Sequence, residues 1–129
     1  MMRFLTFVLC AFVCSGCLPA ATNTAEMQSN RSLHSQFDID SSLQASIKKI
    51  SYKWNECQPP YLSEHIVLLD ELGEARMEFR DMNNRMWLLV ELQKNAGKTR
   101  VDVSSYRSVG WESAFRILEH GAKGLPGCP

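Results

Sequence analysis

The side chains of this sequence that could do chemistry are few, and their spacing keeps them apart. The histidines are His34, His65 and His120. A general base needs a partner within hydrogen-bond reach, and a metal needs further His, Cys or carboxylate groups at ligand spacing. His65 follows Glu64, but neighbouring side chains in a strand point to opposite faces. His120 precedes Gly121 at the expected end of a helix, where an imidazole suits the helix dipole. His34 lies in a polar stretch near the start. Asp70 and Glu71 diverge in the same way as Glu64 and His65, so they make no acid–base pair. Ser104-Ser105 has no motif that would activate a nucleophile. Gly73, Gly97, Gly110, Gly121, Gly124 and Gly127 never group into a phosphate loop. The expectation is a protein that is not an enzyme and has no catalytic set, no metal site and no cofactor.

Cysteine carries the remaining chemistry, at positions 10, 14, 17, 57 and 128. Met1, Met2 and Arg3 make a short positive start, and residues 4–13 form an apolar run. A helix needs roughly 20 residues to cross a bilayer, so this run is too short and fits instead the hydrophobic part of an export signal. Ser15-Gly16-Cys17 resembles the end of the bacterial lipobox, in which small residues precede the cysteine that receives the lipid. Cys14 stands where that pattern usually has Leu. The resemblance implies a signal peptide over residues 1–16, lipidation of Cys17 with palmitate-like chains, and a membrane as partner through covalent lipid. Two acyl chains at about 0.8 kcal/mol per buried methylene hold a protein stably without a basic patch. Leu18 is not the aspartate that commonly retains such proteins in the inner membrane, so the periplasmic side of the outer membrane is preferred. Two readings compete with this one: ordinary cleavage near Leu18-Pro19-Ala20, and an uncleaved anchor.

Charge excludes other partners. The chain has 14 basic and 14 acidic residues, and loss of Arg3 with the leader tips the balance slightly acidic. A nucleic-acid binder shows a basic excess, so no nucleic-acid partner is expected. Lys48, Lys49 and Lys53 are diluted by Glu56 and read as a solvated helix face.

The elements that must position these residues follow from periodicity. The 129 residues suggest one small domain. Residues 17–37, with Cys17 at their head, are small and polar without a clear period and read as a flexible tether spanning roughly 25 Å. The domain then occupies residues 38–129. Ile39, Leu43, Ile47, Ile50 and Trp54 form one stripe of a helix that starts near Asp40 and stops at Gln58-Pro59-Pro60. Strand patterns cover residues 61–72, 74–80, 85–93 and 98–107, separated by Gly73, by Asp81-Met-Asn-Asn84 and by Asn95-Ala-Gly97. Met86, Leu88, Val90 and Leu92 share one face. Trp111, Ala114, Phe115, Leu118 and Ala122 stripe a last helix, capped by Gly121 or Gly124. This order predicts an α+β domain of two layers: a four-stranded antiparallel sheet with an N-terminal and a C-terminal helix packed on one face. Trp87 and Leu89 then point to the opposite face, which requires that face to be partly covered or to carry a small apolar patch.

With Cys10 and Cys14 in the leader and Cys17 lipidated, Cys57 and Cys128 remain as a pair in an oxidising compartment. They close the first helix and follow the last, so two helices side by side would bring them together as a disulfide. The leader with Cys17, the polar stretch, Trp54-Asn-Glu-Cys57, Leu88-Leu-Val-Glu-Leu92, Gly97-Lys-Thr-Arg-Val-Asp-Val103, Trp111 and Cys128-Pro129 together resemble the small, largely uncharacterised lipoproteins of proteobacteria. That resemblance implies location and fold type but no activity. The function expected is a lipid-anchored, non-enzymatic interaction or structural module of the cell envelope, with an envelope protein as partner. The alternative is a carrier of a small apolar ligand in a cleft between helices and sheet, lined by Trp54, Trp111 and Phe115.

Overall fold

Period-two alternation builds one antiparallel sheet, and helices cover it unequally on its two sides. The computed structural model describes residues 24–57, 62–106 and 111–129. The leader, Cys17, Gln58-Pro59-Pro60 and Gly110 lie outside them. The elements run α1 (Thr24–Ser29), β1 (Arg31–Ile39), α2 (Leu43–Cys57), β2 (Ser63–Leu69), a 3-10 turn (Asp70–Leu72), β3 (Glu74–Arg80), β4 (Met86–Asn95), β5 (Lys98–Tyr106) and α3 (Glu112–Lys123). The sheet order is β1-β5-β4-β3-β2, antiparallel throughout. The domain is α+β as expected, but the sheet has five strands rather than four.

The fifth strand comes from the stretch expected to be tether. Leu33, Phe37 and Ile39 alternate with exposed His34, Gln36 and Asp38, and the strand pairs with β5 from Arg31↔Tyr106 to Ile39↔Thr99. Only three apolar residues mark it, because an edge strand under a helix needs no more. Ile39 therefore belongs to β1. The cap of α2 is Ser42 rather than Asp40: its Oγ accepts from the Ala45 N–H at 3.1 Å.

The main core lies between one face of the sheet and the two long helices. Met77, Phe79, Leu88, Val90, Val101 and Val103 meet Leu43, Ile47, Ile50 and Trp54 of α2 and Ala114, Phe115 and Leu118 of α3. Gly121 lets the helices close on each other. A Cβ there would lie 2.9 Å from Lys53 Cβ and 3.0 Å from Ile50 Cα. Gly124 (φ 67°) ends α3, with its N–H bonded to Gly121 O and that of Leu125 to His120 O. At the β4–β5 hairpin Ala96 (φ 51°) and Gly97 (φ 82°) both take the positive φ that a tight right-twisting turn requires.

The opposite face is covered in part by α1. Met27, Met86, Leu89 and Tyr106 form a second apolar cluster, with Trp87 packed against it. Met86 thus departs from the face of Leu88. Phe79 pairs with Leu88 but Arg80 pairs with Met86, so Trp87 is an extra residue that turns Met86 over.

Candidate functional site

Cys17 lies outside the described residues. The other expected pair is present: Cys57 and Cys128 form a disulfide with Cα atoms 5.6 Å apart. It follows from the two helix ends. After the Gly124 cap the chain turns back, and the nearly buried Lys53 of α2 holds it there, donating to Gly127 O at 2.9 Å and to Glu56 Oε2 at 3.1 Å. Glu56 clusters with the two sulfurs, but sulfurs bonded to each other offer no thiolate to a metal.

The three aromatic residues expected to line a cleft do other work. Trp54 lies in the core with its ring 4.3 Å from that of Phe79. Phe115 is buried in the same core. Trp111 is half-buried and stacks on Trp87 at 5.4 Å. Trp54 and Phe115 fill the space between helices and sheet, and Trp111 packs against that core and on Trp87.

A polar groove of about 210 Å³ lies on the opposite face, lined by Gln28, Gln36, Arg76, Glu91, Gln93 and Arg100 among others. Drug-sized ligands occupy roughly 300–1,000 Å³, so it is small for one. Its groups are largely paired: Gln28 Nε2 donates to Glu91 at 2.8 Å, Arg100 Nε to Asp38 at 3.2 Å and Gln93 Nε2 to Glu74 at 3.3 Å. Arg76 Nε is buried without a hydrogen bond and lies 3.6 Å from Glu78.

Beside the groove, β1 brings His34 against β5. His34 Nε2 lies 2.9 Å from Asp102 Oδ1, which also accepts from Ser104 Oγ at 3.3 Å and faces Arg31 at 3.9 Å. The residue types of a hydrolase triad are present, but the carboxylate sits between serine and histidine. The Ser104 hydroxyl donates its hydrogen bond to Asp102 and makes none to the imidazole that would activate it. This cluster was invisible to local spacing because His34 and Asp102 are 68 positions apart. Recognising β1 as a strand would have found it. His65 is exposed on β2 opposite Glu78, and His120 is half-buried near the end of α3.

β2 is the other distinctive surface. Ile66, Leu68 and Leu69, with Leu72 just after the strand, are exposed large apolar residues. Among the described residues no helix is long and apolar enough to cross a membrane. Comparison with family models, with curated proteins and with solved structures gives no match to this chain.

Proposed function

We propose that the protein is a lipid-anchored component of the bacterial cell envelope, facing the periplasm, that works by contact with another protein rather than by catalysis. The observation that carries this is the Cys57–Cys128 disulfide. Such bonds persist in oxidising compartments, and the charged start, the apolar run and Cys17 supply an export route to one. Leu18 after the cysteine favours the outer membrane. The apolar edge at β2, on a domain whose other sheet edge is charged, supports contact with a protein as its work. The first described element, α1, starts at Thr24. Residues 18–23 reach at most about 20 Å, so a lipid on Cys17 would hold the domain close to the headgroups.

Growth with labelled palmitate tests the anchor. The wild type should take up label and Cys17→Ser should not. Label on the serine variant, or none on the wild type, would sink the lipoprotein reading.

A further inference from the structure

Among the described residues β2 is an open edge of the sheet, met by the helix layer at Glu64, where Ser51 Oγ of α2 donates, while Ile66 and Leu68 stay exposed. On that face α2 lies over β3 and β4, and α3 over β5 and β1. Ile66 and Leu68 share the face, opposite Met77 and Ala75 of β3, and are 44% and 51% exposed. Leu69, on the other face, is 40% exposed, and Leu72 beyond it 68%. The opposite edge is guarded: β1 shows Arg31, His34 and Asp38 to solvent, and its apolar residues are half-buried in the main core. Charge on an edge strand discourages pairing, and apolar residues there invite it.

We propose that β2 pairs antiparallel with β2 of a second copy of this chain, joining two five-stranded sheets into one about a twofold axis at Ile66. This gives the protein-contact reading its partner and rests on it. The free N–H and C=O groups of an edge strand are matched by another strand. Apolar side chains on both faces of β2 call for a neighbour that is apolar on both faces. β2 itself has that character. Ile66 is the midpoint of Ser63–Leu69, so pairing centred there engages the whole strand. Ile66 then meets Ile66 of the second copy, His65 meets Val67, Glu64 meets Leu68 and Ser63 meets Leu69. No like charges oppose each other in this register. Centring on His65 would set two imidazoles face to face and leave Leu68 and Leu69 without a partner. Glu64 needs nothing from the second copy, because Ser51 Oγ of α2 donates to it at 2.8 Å. A twofold axis normal to the sheet puts both helix layers on the same face. The two α2 helices then flank the strip of Ile66 and Leu68 and screen it from water. A specific interface buries roughly 1,000 Å² or more, and one seven-residue strand is a small surface beside that. The pairing is therefore a loose one, favoured where anchoring raises the local concentration of copies.

The test uses the full chain in intact cells, with Ile66→Cys, a short bis-maleimide and non-reducing gels. Palmitate labelling is read on the same cells. The expected result is a band at twice the monomer mass, linked at position 66 in both copies by mass spectrometry. It should be at least tenfold stronger than for Gln36→Cys on the opposite edge, and lost when Leu68→Lys is added. A monomer band only, equal yield from Gln36→Cys, insensitivity to Leu68→Lys, or linkage to a different protein would each overturn the proposal. Label without a dimer sinks the pairing and leaves the anchor standing; a dimer without label does the reverse.

Discussion

At the β3–β4 turn Asp81 accepts four hydrogen bonds: from the backbone N–H groups of Asn83 and Arg85 at 2.8 and 3.0 Å, from Arg85 Nε at 3.1 Å and from Trp87 Nε1 at 2.8 Å. The indole so fixed lies 5.7 Å beneath the Arg85 guanidinium, stacks on Trp111 and meets Tyr106 edge-on at 6.0 Å. Asp81-Met-Asn-Asn84 is legible as a turn from its residue types. That its aspartate also holds a tryptophan six positions on is not, because the extra residue in β4 breaks the period. Partial burial pushes the Asp81 carboxyl up, but the Trp87, Arg85 and Asn83 hydrogen bonds and the Arg85 charge outweigh it and hold the group below its ordinary value of 3.8. A carboxylate depressed on folding adds stability that is fully present above its unfolded pKa and is lost as pH falls through the folded one. Asp81→Ala should therefore cost about 1–2 kcal/mol at neutral pH, by leaving the indole N–H and turn amides unsatisfied. It should also flatten the fall in stability below about pH 4. Urea denaturation between pH 2 and 7 checks both, and parallel wild-type and variant curves in that acid range would contradict the account.

At the scale of elements, what the sequence reveals tracks how much each element buries. α2, α3 and β3 carry three or more apolar residues at their proper period, and each forms close to where that period places it, although α2 starts at Leu43 and leaves Ile39 to β1. β1 carries Leu33, Phe37 and Ile39, with Ser35 interrupting them on the same face, and half-burial under a helix is enough for it. α1 is shorter still. Six residues give too few turns for a periodic signal, and a helix of that length is not stable alone. Its only buried residue is Met27, fully enclosed against Met86, Leu89 and Tyr106. One side chain thus docks the element that covers Leu89, the residue a two-layer fold leaves facing water. Met27→Ala should cost about 2–4 kcal/mol. It should also free α1, so that limited proteolysis cuts within residues 24–30 of the variant and spares them in the wild type. Equal cutting of both would mean that α1 does not depend on this contact.

For the whole molecule, the disulfide was legible because it needs only the order of the elements: a helix ending at Cys57, a sheet, a second helix and a short return. Adding β1 and α1 ahead of α2 does not disturb that order. The cysteines are 71 positions apart, so the bond closes nearly the entire described domain after α2, including four of its five strands. In the chain-entropy view a loop of that length restricts the unfolded chain by roughly 4 kcal/mol, a large part of the 5–15 kcal/mol typical of small domains. The native state does not rely on the bond alone to place the tail. Lys53 holds Gly127 O, the Gly124 cap sets the direction of return, and Gly121 keeps α3 against α2. None of these contacts is made by the sulfur atoms. Cys128→Ser should therefore keep the native circular dichroism spectrum while losing about 2–4 kcal/mol in urea denaturation. Reductant should lower the wild type by a similar amount and leave the variant unchanged. If the variant is as stable as the oxidised wild type, the bond is no staple, and stability rests on the packing of α2, α3 and the sheet. If it unfolds outright, the Lys53 clamp and the glycine cap hold far less of the tail than their geometry implies.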